Sequence, residues 1–205
     1  MPFFMKRIFP VLQYLNVPNF VTTIGLYFGI AACYYLIQGS LRGAFICLFF
    51  AVCMDVIDGF SAGKLNQKTR FGQVMDSLVD FFVCCIMPVW MVLIFVGDSI
   101  LLIASLMIYV GCGLWRLAHF TVMAAENQGK PQTHYAGLPV PGAMLLVSIS
   151  VWAVVYYGCP PWLSAAVLLL SALAMASSFK LKKYGFMQKA SWVVGLGFFV
   201  LVLAS

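Results

Sequence analysis

Apolar stretches of roughly 20 residues recur along the chain, divided by short polar connections, and nothing else limits its fold so strongly. A helix rises about 1.5 Å per residue, so about 20 residues cross the ~30 Å hydrocarbon layer. Water is absent there, which leaves helices or closed barrels as the only spanning structures. With 63% hydrophobic and only 9% charged residues among 205, and a mean hydropathy of +1.00, an ordinary soluble domain is excluded. The pattern predicts spans over 20–37, 41–59, 72–96, 99–123, 141–158, 162–179 and 190–204. The expected fold is all-α: a polytopic transmembrane helical bundle of six to seven spans, the last being either a full span or a peripheral helix. Thr22, Thr23, Gly25 and Gly29 give the first span a small-residue face suited to close contact with a neighbouring helix.

Charge placement supports this count. With a cytoplasmic N-terminus, Lys6, Arg7, Lys64, Lys68, Arg70, Arg116, Lys130, Lys180, Lys182, Lys183 and Lys189 fall on that side or on helix ends opening to it, and Arg42 lies opposite. The expected location is therefore the inner or cytoplasmic membrane. Residues 1–19, where apolar positions alternate with Lys6, Arg7, Gln13 and Asn16, read as a juxtamembrane helix lying in the interface, ahead of a transmembrane domain over 20–205. Pro2, Pro10 and Pro18 interrupt the segment and argue against a cleaved signal. The net charge of +6 is spread over membrane-proximal loops and suits anionic lipid headgroups rather than nucleic acid. The seven cysteines lack metal-ligand spacing and, nearly all lying within spans, read as small hydrophobes.

Against this background, four of the six acidic residues, Asp55, Asp58, Asp76 and Asp80, gather at the facing ends of the second and third spans. Carboxylates near hydrocarbon are costly and mark a pathway, a pair or a metal site. Asp55 and Asp58 share one helix face, as do Asp76 and Asp80. Four carboxylates do not comfortably stay ionised at short range without cations, and hard oxygen ligands suit Mg²⁺ or Mn²⁺, with room for two ions about 4 Å apart. Gly59, Ser61, Ala62, Gly63 and Gly72 flank them, small enough for a bulky ligand to approach the backbone, and Lys64, Lys68 and Arg70 add positive charge. Such a centre binds phosphates. An ion-coupled transporter is the rival reading, but it calls for midplane acidic residues and paired broken helices, and neither is evident.

Read whole, D-V-I-D-G-F-S-A-G, eight residues, then G-Q-V-M-D-S-L-V-D resembles the signature of the CDP-alcohol phosphotransferases. The resemblance departs at one fixed position, where Gly63 stands in place of arginine. It implies a membrane-embedded homodimer that cleaves the pyrophosphate of a CDP-activated lipid. On this resemblance Asp55, Asp58, Asp76 and Asp80 hold two metal ions, and Asp80 also accepts the proton of the acceptor hydroxyl. Asp58, Gly59, Ala62 and Gly72 then line the cytidine-diphosphate site. Lys64 or Arg70 is available to replace the missing arginine.

A second stretch, R-L-A-H-F-T over 116–121 and H-Y-A-G-L-P-V-P-G-A over 134–143, brackets the longest polar connection. It is similar to the phosphatidylserine-forming branch of that family, with His119 in place of arginine and Thr121 in place of asparagine. Pro18, Asn19 and Thr22 match the same branch at the entry to its first span. This implies transfer of a phosphatidyl group from CDP-diacylglycerol to L-serine, releasing CMP. Arg116, His119 and Lys130 are the candidate contacts for the serine carboxylate or the lipid phosphate. The two replaced arginines leave other acceptors open, such as glycerol 3-phosphate or an inositol phosphate.

Overall fold

The computed structural model describes residues 14–65, 69–126, 134–177, 180–182 and 186–204. Their helices follow the apolar stretches in order: α1 (Val17–Ile37), α2 (Leu41–Lys64), α3 (Arg70–Phe95), α4 (Ile100–Glu126), α5 (Val140–Tyr157), α6 (Trp162–Ala176) and α7 (Phe186–Ala204). Helices α1 to α5 are each long and apolar enough to cross a membrane, and α6 and the stretch Val193–Ala204 of α7 are shorter apolar helices. The chain is thus an all-α, polytopic helical bundle. Two short strands, β1 (His134–Ala136) and β2 (Lys180–Lys182), pair antiparallel and join the α4–α5 connection to the α6–α7 connection. Residues 1–13 of the expected interfacial segment lie outside the described residues, and α1 takes in Val17, Pro18 and Asn19 ahead of the expected start.

Local chemistry sets the helix ends. The Asn16 side chain accepts from the Asn19 amide at 2.9 Å and caps α1, with Pro18 in the first turn. A tight turn through Gly39 (φ +72°) leads to Ser40, whose hydroxyl accepts from the Gly43 amide at 3.2 Å and caps α2. Thr69 caps α3 in the same manner, accepting from the Gly72 amide at 3.0 Å.

Close packing uses the small residues. Helices α1 and α2 form the most extensive pair in the bundle. A Cβ on Gly25 would stand 3.4 Å from Met54 Cβ, and one on Gly29 would meet Val83 Cγ2 at 3.0 Å. The expected small-residue face of the first span is therefore packed against both α2 and α3. On α4, the apolar side chains of Ile100, Met107 and Trp115 are well exposed, as suits side chains that face lipid.

Helix α3 is not uniform. Its α-helical first part, Arg70–Asp80, passes into a π-helical segment, Phe81–Ile86, before the α-geometry resumes at Met87. The wider turn begins directly after Asp80. The hydroxyl of Tyr109, fully buried on α4, donates to the Cys84 carbonyl at 2.8 Å inside that segment. Gly113, a turn further along α4, faces Cys85 so closely that a Cβ there would lie 2.5 Å from Cys85 Sγ. All seven cysteines are free.

Candidate metal centre

Helices α2 and α3 bring the acidic pairs together from opposite sides of one cleft. Carboxylate oxygens of Asp55, Asp76 and Asp80 all lie within 4.8 Å of one another. Asp58 stands apart from this trio. It is buried, and its Oδ2 accepts from the Thr22 hydroxyl of α1 at 2.5 Å. Thr22, Gly25 and all four aspartates line the same narrow cleft between α1, α2 and α3. The expected quartet is thus assembled in space, with three side chains turned to a common point and the fourth fixed by a neighbouring helix.

The donor set fits a hard divalent cation. Each of the three converging residues offers a carboxylate oxygen, the ligand type that Mg²⁺ and Mn²⁺ prefer over nitrogen or sulfur. Carboxylates gathered at this range can all stay ionised only with positive charge in their midst, which a cation supplies. The arrangement supports metal-dependent chemistry on a ligand that brings further oxygens.

A much larger cavity of about 520 Å³ opens from the same carboxylates. Asp55, Asp76 and Asp80 occupy one part of its wall, and most of the remaining lining is apolar. Both sequence stretches singled out for the acceptor reach it. From the first, Arg116, Leu117 and Phe120 line the cavity, and the Arg116 guanidinium carbon lies 5.9 Å from the Phe120 ring centre. From the second come Leu138, Pro139 and Pro141.

The glycine before that second run has a steric reason. Gly137 adopts φ +71°, and a Cβ there would stand 2.7 Å from the Ser177 carbonyl oxygen and 2.9 Å from those of Ala174 and Met175. Leu138 then donates its amide to the Ala174 oxygen at 2.9 Å. The run is thereby docked on the C-terminal end of α6, which fixes the entry to α5 beside the cavity.

Other sequence candidates stand further out. His119 is exposed and is not among the residues lining the cavity. Lys64 and Arg70 are exposed at the facing ends of α2 and α3. Gly59 and Gly63, a turn apart on α2, have no protein atom within 4 Å of a would-be Cβ, so the space beside them is open to a ligand. Gly72 is different: a Cβ there would stand 2.7 Å from Asn19 Oδ1, so this glycine serves the packing of α3 on α1. Lys130 lies outside the described residues.

Two contacts escaped the sequence reading. Thr22 was legible as a small residue in a Pro-Asn-x-x-Thr run, but no local rule points its hydroxyl at Asp58. Ser77, next to Asp76, lies 2.6 Å from the Thr121 hydroxyl and ties α3 to α4 beside the cavity. Thr121, noted only as a departure from asparagine, keeps a hydrogen-bonding group at that place.

Known proteins share this chain's sequence pattern and fold. The family model for CDP-alcohol phosphatidyltransferase matches residues 15–178. A CDP-diacylglycerol–serine O-phosphatidyltransferase of Methanocaldococcus jannaschii is 25% identical over 86% of this chain and 78% of its own length. A CDP-diacylglycerol–glycerol-3-phosphate 3-phosphatidyltransferase of Aquifex aeolicus is 35% identical over 32% of this chain and 37% of its own. Among solved structures, phosphatidylinositol phosphate synthase of Mycobacterium tuberculosis, crystallised with manganese and citrate, superposes with a TM-score of 0.59 at 19% identity. That likeness covers 82% of this chain and 81% of the other, and it is one of fold.

Proposed function

This chain belongs to the CDP-alcohol phosphatidyltransferase family, and from that premise we propose that it transfers the phosphatidyl group of CDP-diacylglycerol to the hydroxyl of a small alcohol that carries an anionic group, releasing CMP. The observation that carries the proposal is the convergence of Asp55, Asp76 and Asp80 on one part of a cavity whose wall also holds Arg116 and a long apolar lining. A CDP-activated lipid needs such a site: oxygens for the pyrophosphate's metal, a cation for an anion, and hydrocarbon for its tails.

In this reading Asp55, Asp76 and Asp80, with Asp58 behind them, hold divalent cations, Mg²⁺ or Mn²⁺, and a pair of ions is the arrangement that four carboxylates suit. Bound there, the cations supply positive charge against the pyrophosphate oxygens. Thr22 keeps Asp58 in a single orientation through its short hydrogen bond. Gly59, Ala62 and Gly63 leave room for the nucleotide beside α2, with Lys64 and Arg70 at the rim. Asp80 takes the proton from the acceptor hydroxyl as that oxygen bonds to the lipid-linked phosphorus. The bond from that phosphorus to the bridging oxygen breaks, and CMP departs with the electron pair. Arg116 pairs with the acceptor's anionic group or the lipid phosphate. The site faces the cytoplasm by the charge pattern of the connections, and a homodimer is expected from the family resemblance.

Two acceptor classes have separate support. Phosphate-bearing alcohols, glycerol 3-phosphate or an inositol phosphate, gain weight from the 35% local identity to the A. aeolicus enzyme. L-serine draws on the R-L-A-x-F and G-L-P-x-P runs, which bring Arg116, Leu117, Phe120, Leu138, Pro139 and Pro141 to the cavity wall, and on the M. jannaschii relative that spans most of this chain. The test is lipid product analysis by mass spectrometry. Purified protein in mixed micelles receives CDP-diacylglycerol, Mn²⁺ and one acceptor at a time. The expected result is one phospholipid product, formed in step with CMP, from a single acceptor class. Bound CDP-diacylglycerol with no product from any acceptor would overturn the proposal.

A further inference from the structure

Helix α7 lies beyond residues 15–178, which the family model matches, yet it forms one side of the large cavity. It packs on α2 and also touches α5. Phe199 stacks on Phe49 with ring centres 4.1 Å apart, and Phe198 meets Phe45 at 5.3 Å and Trp152 at 5.8 Å, edge to face. The Arg42 guanidinium, at the start of α2, donates to the Leu203 carbonyl and so closes the far end of α7. The helix therefore bridges α2 and α5 along the cavity. Val194, Gly195, Phe198, Phe199 and Val202 are the residues it presents there.

Gly195 occupies a particular place in that wall. A Cβ on it would meet only Leu145 Cδ2, at the ordinary contact distance of 3.7 Å. A methyl group fits, whereas a longer side chain projects into the cavity. Two residues on, Gly197 has nothing within 4 Å of a would-be Cβ and does not line the cavity. The cavity itself is polar at its carboxylates and apolar along α5 and α7, the layout for a molecule with a charged head and a hydrocarbon tail. At about 520 Å³ it falls in the size range of sites that enclose a ligand, roughly 300–1,000 Å³.

We infer that α7 is the outer wall of a compartment for one acyl chain of the CDP-activated lipid, and that the gap left at Gly195 determines how long or bulky a chain the enzyme accepts. The inference rests on the proposed reaction for its substrate. It assigns chain selectivity to a helix outside the part of the molecule that carries the metal ligands.

The experiment compares wild type, Gly195→Leu and Gly197→Leu. Each receives CDP-diacylglycerol with two 18-carbon chains or two 8-carbon chains in mixed micelles, with the acceptor identified for the wild type. Gly195→Leu is expected to lose roughly tenfold or more in kcat/KM for the long-chain lipid, a scale that misfit in an apolar pocket readily reaches, while short-chain turnover stays within about twofold of the wild type. Gly197→Leu adds the same bulk to the same helix and is expected to match the wild type with both lipids. In parallel, CDP-diacylglycerol carrying a diazirine near the end of one chain is photolysed on each protein without acceptor. Labelling is expected in the peptide spanning residues 193–204 of the wild type and is expected to fall in Gly195→Leu. Equal loss for both lipids, an unchanged chain preference, or labelling that avoids α7 would each overturn the inference. Because photolabelling needs no turnover, it tests the compartment even if no acceptor supports CMP release, an outcome that would sink the proposed reaction instead.

Discussion

Carboxylates beside hydrocarbon need partners, and Asp58 shows this at the level of one bond. The Thr22 hydroxyl supplies a hydrogen-bond donor to this buried acceptor. Thr22→Val keeps the shape and removes the donor. Groups that orient metal ligands commonly alter metal affinity or activity by about 10–100-fold when lost. The expected outcome is a loss of that order, read from the Mn²⁺ dependence of CMP release, and an unaltered Mn²⁺ curve would remove Thr22 from the account. Gly137 is a residue of another kind, needed for its backbone. Its left-handed φ and the three carbonyl oxygens crowding its Cβ position make Gly137→Ala unfavourable by about 1–3 kcal/mol from the backbone conformation alone. Thermal unfolding in detergent should show a lower melting temperature for Gly137→Ala, with Gly158→Ala as the comparison, since that glycine shares the left-handed φ but has an open Cβ position.

Helix α3 carries the chemistry at one end and a change of helical geometry directly after it. The π-helical Phe81–Ile86 segment lets the chain leave Asp80 and still bury Val83, Cys84 and Cys85 against α1 and α4. Tyr109 supplies a donor to the Cys84 carbonyl, so Tyr109→Phe should cost about 0.5–1.5 kcal/mol. Gly113→Leu should cost more, because it drives a side chain into Cys85. Equilibrium unfolding in detergent that ranks wild type above Tyr109→Phe and Tyr109→Phe above Gly113→Leu is the expected result. The helices themselves were legible because runs of apolar residues near the span length leave few alternatives, and the boundaries of α3 to α5 fell close to the expected ones, whereas α2 continues past the expected end at 59 to Lys64. The aspartate quartet was legible because helical periodicity puts Asp55 with Asp58 and Asp76 with Asp80. The π-segment was not, since F-F-V-C-C-I carries no local signal that separates it from ordinary helix. Nor was the Thr22–Asp58 bond or the α7 wall, both of which depend on which faces of distant helices meet.

For the whole molecule, the bundle places its polar chemistry at one end of an otherwise apolar body. Lys64 and Arg70 end α2 and begin α3 near the aspartates, and Gly39 and Asp98 lie in the connections at the other ends of these helices; the proposed topology assigns the first two to the cytoplasmic side and the last two to the opposite side. Single cysteines placed at these positions in a cysteine-free background, and labelled in intact cells with a membrane-impermeant maleimide, should divide accordingly: Gly39→Cys and Asp98→Cys react, while Lys64→Cys and Arg70→Cys react only after permeabilisation. The arrangement by which one acidic cluster serves a large amphipathic cavity is the central claim, and CMP release tests it most directly. Wild type and the four single Asp→Asn variants at positions 55, 58, 76 and 80 would be assayed with CDP-diacylglycerol and the acceptor panel, with EDTA and after restoring Mn²⁺ or Mg²⁺. The account predicts release by the wild type that EDTA abolishes and either cation restores, with loss of about a hundredfold or more in Asp80→Asn, the scale expected for removing a general base. Release that survives EDTA, or that Asp80→Asn carries out at the wild-type rate, would contradict it.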